Sequence, residues 1–184
     1  MFPAFLDTCV LYSSTLRDTL LRIAEEEAFR PLWSADVLAE LKSVLEREAH
    51  VDPAKASRLT AQLQLAFPTA EVVDYKALID AMTCHPKDRH VLAAAVAGGA
   101  QVVVTFNLKD FPNTAVEPHD LEVVHPDAFL LDQLDLYPGR VGRALVSQLT
   151  AAKRPPLTMG QLLGRLARAG VAAFADEVRR HEFA

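Results

Sequence analysis

HPKDRHVLAAAVAGGAQVVVTFNLKDFP, residues 85 to 112, decides the fold. Between His90 and Lys109 it runs 18 residues without a formal charge, close to the length of a membrane span. Gly98, Gly99 and Gln101 interrupt that run. The Ala-rich half before the glycines, entered through Pro86, has the pattern of a buried helix, and the β-branched half, QVVVT, that of a buried strand. Helix, tight turn and core strand account for the segment better than a membrane anchor does.

Working outward, FPAFLD (2–7) predicts a first strand, and TLRDTLLRIAEEEA (15–28) an amphipathic helix with Leu16, Leu20, Ile23 and Ala24 on one side. Pro31 is expected to close that unit. SADVLAELKSVLEREA (34–49) predicts a helix N-capped by Ser34, with Val37, Leu41, Val44 and Leu45 as its apolar stripe. A further helix (52–67) opens at Asp52-Pro53. AEVVD (70–74) and LEVV (121–124) predict short strands, KALIDAM (76–82) a short helix, and 126–136 a helix ended by Tyr137-Pro138-Gly139. Helices between short apolar strands call for an α/β fold with a mostly parallel central sheet flanked by helices. The remainder is helical, so the expected organisation is a domain over 1–136 and a helical extension over 137–184 packed on it. The stripe Leu162, Leu163, Leu166 and the pair Val171 and Phe174 need something to bury against.

With 184 residues, 51% of them hydrophobic and 23% charged, the chain can bury a full core, which excludes a disordered tail and a disulfide-stapled miniprotein. The net charge of −5 is uneven: residues 1–136 carry 11 Lys+Arg against 21 Asp+Glu, and 137–184 carry 8 against 3. A basic C-terminal part suggests an anionic partner, although a solvated helical face gives the same count. Cys9 and Cys84 match no zinc spacing and are expected to be reduced. The N-terminal MFPAFLD lacks a basic region before its first acid, so no signal peptide and a cytoplasmic location are expected.

In open α/β sheets ligands bind beyond the carboxyl ends of the strands. Asp7 follows the first strand, and Asn107 and Asp110 follow QVVVT. Glu40 borders the apolar stripe of its helix, and Asp88 stands in the first turn of another. Taken singly, each has a plainer reading as a cap, turn or rim residue. Together they can converge at one sheet edge. Other hydrolase motifs fail: an aspartate-nucleophile phosphatase needs a second Asp where Cys9 stands, Cys84 to Arg89 is one residue short of a cysteine-phosphatase loop, and the six histidines accompany no nucleophile motif.

The ordered blocks FLDTCVLY (5–12), SADVLAELKSVLE (34–46) and the stretch 85–112 resemble the signature of PIN-domain ribonucleases, most closely the VapC-type toxins of toxin–antitoxin pairs, over roughly residues 2–130. The resemblance implies that Asp7, Glu40, Asp88 and Asp110 are the catalytic, metal-binding acids, that Thr8 and Thr105 orient carboxylates or phosphate, and that Asn107 and Arg89 stand beside the substrate. At Asn107 many relatives carry Asp, and at Cys9 Asn or Ser is frequent; toxin-like relatives have Asn with an acid three residues on. Carboxylates about 4 Å apart repel by about 4 kcal/mol at an effective dielectric of 20, so such a cluster needs protons or a cation, and oxygen donors select Mg2+ or Mn2+. Implied with the family are RNA cleavage to a 5'-phosphate and 3'-hydroxyl, an antitoxin partner, a homodimer and no membrane association. The alternatives are an idle PIN-like module that binds RNA or protein, and a housekeeping PIN nuclease without an antitoxin. Cations available to RNA are Lys42, Lys87, Arg89 and Lys109 near the acids, and Arg140, Arg143, Lys153, Arg154, Arg165 and Arg168 in the C-terminal part.

Overall fold

The structure is a computed structural model that describes residues 1–153 and 155–181; Arg154, one of the expected RNA-contacting cations, lies outside the described residues. In chain order the elements are β1 (Pro3–Leu6), α1 (Thr8–Tyr12), α2 (Ser14–Glu25), β2 (Arg30–Ser34), α3 (Ala35–Arg47), α4 (Pro53–Ala66), β3 (Glu71–Val72) and α5 (Arg89–Ala97). They continue with β4 (Val102–Val104), α6 (Asn113–Val116), β5 (Glu122–Val124), α7 (Pro126–Leu136), α8 (Pro138–Ala151), α9 (Met159–Arg168) and α10 (Ala172–Arg180). Short 3-10 turns cover Lys76–Ala81, Pro86–Asp88, Leu108–Asp110 and Glu117–His119. Among the described residues no helix is long and apolar enough to cross a membrane.

The chain divides into two compact units that do not follow a single cut. A sheet unit comprises Phe2–Tyr12 and Arg30–Val124, and a helical unit comprises Met1, Ser13–Phe29 and the described residues from His125 onward.

In the sheet unit the five strands are all parallel, in the order β3-β2-β1-β4-β5. Strand order reverses at β1, the place where an open α/β sheet leaves a crevice beyond its strand ends. Ala4, Phe5 and Leu6 of β1 are fully buried, as are Val103 and Val104 of β4. Helix α5 buries Val91 through Ala95, so its Ala-rich sequence serves close packing on all sides, as the unbroken apolar run predicts. A Cβ at Gly98 would stand 2.7 Å from Val72 Cγ2 and 3.1 Å from Leu32 Cδ1, and Gly99 turns the chain at φ +62°. The two glycines therefore end the helix against β2 and β3 and feed β4.

One expectation is corrected. Pro31 does not close a unit but lies inside β2. Arg30 N–H donates to Phe2 O on the β1 side and Trp33 N–H to Ala70 O on the other, so position 31 faces the β3 side, where pairing begins only at Trp33 with Glu71. The missing N–H of proline costs no ladder bond there. The N-caps at Ser34 and Asp52 form as predicted, accepting from Val37 N–H and from Ala54 and Lys55 N–H.

In the helical unit α2 packs on α8, and α10 packs on α7 and α9. Leu162, Leu163, Leu166, Val171 and Phe174 find their burial within this unit. Phe29 meets Phe129 edge-on at 4.9 Å between centroids. Buried Thr19 donates to Gln148 Oε1 at 2.8 Å, and Asp127 caps α10 by accepting from Ala173 and Phe174 N–H.

Candidate active site

Every residue of the site belongs to the sheet unit. Asp7 leaves the end of β1 at the sheet centre; its N–H donates to Val104 O at 3.2 Å, which fixes the strand end, and its residue surface is 4% exposed. Both oxygens of its carboxylate are oriented by local donors, and Oδ1 keeps a lone pair free. Thr8 N–H donates to Oδ1 at 2.6 Å, and Thr105 Oγ1 and Cys9 Sγ donate to Oδ2 at 2.7 and 3.3 Å. Thr105 at the end of β4 is itself held by Asn107 N–H at 3.0 Å, so the loop after β4 is tied to the acid after β1. Burial and the adjacent Asp7 charge push the Cys9 thiol up to about 12, which keeps it protonated.

Glu40 comes from the middle of α3, with both oxygens engaged: Thr8 Oγ1 donates to Oε2 at 2.8 Å and His90 Nε2 stands 3.0 Å from Oε1. Burial alone would raise the Glu40 carboxyl, but the His90 and Thr8 bonds outweigh it and hold it below its ordinary value. His90 moves the other way: burial opposes its protonation, and Glu40 overcomes that and raises it.

Asp88 ends the turn Pro86–Asp88 in the N-cap position of α5, yet it makes no capping bond. It is 8% exposed, and its Oδ2 is buried without a hydrogen-bond partner, with Lys87 Nζ and His85 Nδ1 each 3.8 Å away. Burial raises the Asp88 carboxyl above its ordinary value, and the charges of Asp7 and Asp110 add to the rise while Lys87 opposes it. A buried carboxylate oxygen with no donor and two like charges within reach fits a bound cation.

Asp7, Thr8, Glu40, Asp88 and Asn107 line one pocket of about 350 Å³, together with Cys9, Tyr12, Val44, Glu48 and Lys87. Asp110 and Arg89 are not among the lining residues. Asp110, 8% exposed, stands behind Lys87, whose Nζ is 3.0 Å from its Oδ2, and that ammonium holds the Asp110 carboxyl below its ordinary value. One ligand atom each from His85, Asp88 and Asp110 lies within 4.8 Å of the other two. The donors open to an ion in the pocket are carboxylate and amide oxygens, which suit Mg2+ or Mn2+.

Sequence reasoning passed over His85, His90 and Tyr12, and, as site residues, also Val44, placed only in an apolar stripe, and Glu48. The last two were legible, because they lie four and eight residues after Glu40 on the same face of α3. His90 was not, since a pairing across 50 residues leaves no local pattern.

The sequence profile of the PIN domain matches residues 3–109, and that of the VapC50 C-terminal domain matches residues 126–180. A Mycobacterium tuberculosis protein named "Putative ribonuclease VapC50" is 47% identical over 112 residues, which is 61% of this chain and 66% of that protein, just short of two thirds of its length. The profile match covers more than half of the chain. The chain belongs to the PIN-domain family.

Proposed function

We propose that the chain is a Mg2+- or Mn2+-dependent endoribonuclease and the toxin of a toxin–antitoxin pair, with residues 1–136 as the nuclease segment and 137–184 as its helical extension. One observation carries the reading: carboxylates from three separate elements, Asp7, Glu40 and Asp88, open on a single pocket, and the buried Asp88 oxygen has no hydrogen-bond donor. The ribonuclease name of the relative supports it.

Asp7, Glu40 and Asp88 would hold the ion, with Asp110 as the fourth acid of the set. When bound, such an ion supplies a water of lowered pKa and neutralises charge on the scissile phosphate. The protein's own groups orient and select. Thr8 and Thr105 fix the carboxylates of Glu40 and Asp7, so both present fixed lone pairs to the pocket. Asn107 offers an amide to RNA at the pocket wall, and Arg89 adds positive charge beside Asp88. The protonated Cys9 thiol supports direct hydrolysis over a covalent thiolate route. An antitoxin would cover this acidic pocket with basic side chains, and the reading includes a homodimer acting on RNA in the cytoplasm.

Incubation of the purified chain with tRNA or structured RNA, with Mg2+, Mn2+ or EDTA, tests the reading. Cleavage giving 5'-phosphate ends is expected with metal and none with EDTA. Asp7→Asn should reduce the rate by more than about 100-fold, beyond the loss typical of a residue that only orients a ligand. Absence of cleavage in metal, or its survival in Asp7→Asn, would overturn the nuclease reading.

A further inference from the structure

Lys87 is the one cation among the described residues that line the pocket, where it faces Asp7, Glu40, Glu48 and Asp88. A phosphodiester entering there meets four carboxylates, so the position of a single ammonium matters. That position is built. The turn Pro86–Asp88 carries Lys87, and the turn Leu108–Asp110 carries its partner; the two are joined by His85 N–H donating to Asp110 O at 2.9 Å. Across that joint Lys87 Nζ stands 3.0 Å from the 8%-exposed Asp110 and 3.8 Å from Asp88 Oδ2.

We propose that Lys87 is a phosphate-binding residue of the pocket, held in place by Asp110, so that Asp110 acts through Lys87 and not as a direct ligand of the ion. The inference rests on the nuclease reading and changes the role of its fourth acid. A lysine ammonium has three donors; Asp110 holds Lys87 Nζ at ion-pair distance, and the exposed donors can reach the non-bridging oxygens of a phosphate. The Lys87 side chain is 58% exposed, so its charged end reaches solvent and substrate. An ordinary exposed lysine pair contributes almost nothing. This one differs because its acid is buried and the neighbouring His85 ties the turn that carries Lys87 to that acid.

The test uses full-length Lys87→Met, Lys87→Arg, Asp110→Asn and the double variant Lys87→Met/Asp110→Asn on a fluorescent mixed-sequence oligoribonucleotide with Mn2+. Lys87→Met should lose about 10- to 100-fold in kcat/KM, with Lys87→Arg recovering part of it. Asp110→Asn should lose less, and the double variant should be no worse than Lys87→Met, since both remove one function. Calorimetric Mn2+ affinity should be retained in each. In the Asp7→Asn background, Lys87→Met should flatten the slope of log binding constant against log salt by about 0.7, one single-strand phosphate contact. Wild-type kcat/KM with an unchanged slope in Lys87→Met overturns the inference, and so does loss of Mn2+ affinity in Asp110→Asn with effects that add. If the wild-type chain cleaves no RNA but the salt slope depends on Lys87, the nuclease reading fails and the phosphate contact stands; no oligonucleotide binding at all overturns both.

Discussion

The two units differ in what their charges do. Cut by position, the chain is −10 over residues 1–136 and +5 over 137–184. Divided by unit, the described residues of the helical one hold nine Lys+Arg against nine Asp+Glu, and the sheet unit nine against fourteen. The entire net charge of −5 therefore resides in the unit that carries the pocket. In the helical unit four of the C-terminal arginines have local partners: Arg143 Nε is 2.8 Å from Glu26, Arg140 donates to the carbonyls of Glu26 and Glu27, and Arg179 and Arg180 pair with Asp176 and Glu177. In the sheet unit the buried Asp88 Oδ2 has no hydrogen-bond partner, and its nearest cation, Lys87 Nζ, stands 3.8 Å away. Charge answered within its own unit is structural, and charge left unanswered awaits a ligand.

That contrast predicts opposite responses to substitution. Phe174 is fully buried in α10, and Phe174→Ala should cost about 3–5 kcal/mol, read as a lower urea midpoint. A loss below about 1 kcal/mol would mean the helical unit is not held by its apolar stripes. Removing an acid from the pocket should do the reverse. Burial raises the Asp88 carboxyl, so in EDTA its contribution favours the fold below the ordinary value of 3.8 and is lost as pH rises through the raised one. At pH 7 Asp88→Asn should then be more stable than wild type by roughly 1 kcal/mol, the size of an ordinary single-site effect. The order should reverse when Mn2+ is added. A destabilised Asp88→Asn in EDTA would make this carboxylate structural and erase the contrast between the units.

The fold was legible where period and punctuation agree, as in α3 with its Ser34 cap and in the helix–Gly98-Gly99–strand passage. Strand β2 was not, because Pro31 carries a stop signal whose meaning depends on how far β3 extends beside it. The acids were legible as strand-end and helix-face residues. Their roles were not, since Asp88 declines a cap its position offers and Asp110 turns to Lys87, a pairing fixed by two loops meeting in space. The −5 of the sheet unit was hidden for the same reason: α2, with Glu25, Glu26 and Glu27 at its end, groups with the C-terminal helices and not with its sequence neighbours.

A smaller effect divides the pocket itself. Glu40 is held below its ordinary 4.5 and His90 above its ordinary 6.5 by their mutual contact. Glu40's contribution is present above 4.5 and lost as pH falls through its lowered value, and His90's is present below 6.5 and lost as pH rises through its raised one. Their joint stabilisation is thus full between those two values. The Glu40 side chain is 47% exposed, so solvent screening limits it to about 0.5 kcal/mol. His90→Ala should flatten the stability–pH profile on the alkaline side in EDTA, and an unchanged profile would deny the coupling.

The smallest effect bears on the helical unit. Arg143 is 62% exposed and its pair with Glu26 sits at the surface, so Arg143→Ala should cost no more than about 0.5 kcal/mol. Because Glu26 already answers its charge, the substitution should leave the salt dependence of oligoribonucleotide binding unchanged, whereas Lys87→Met should alter it. Fluorescence anisotropy across a salt series compares the two variants directly. A flatter salt slope in Arg143→Ala would mean that Glu26 releases this arginine to RNA, and the neutral helical unit would become a second binding surface.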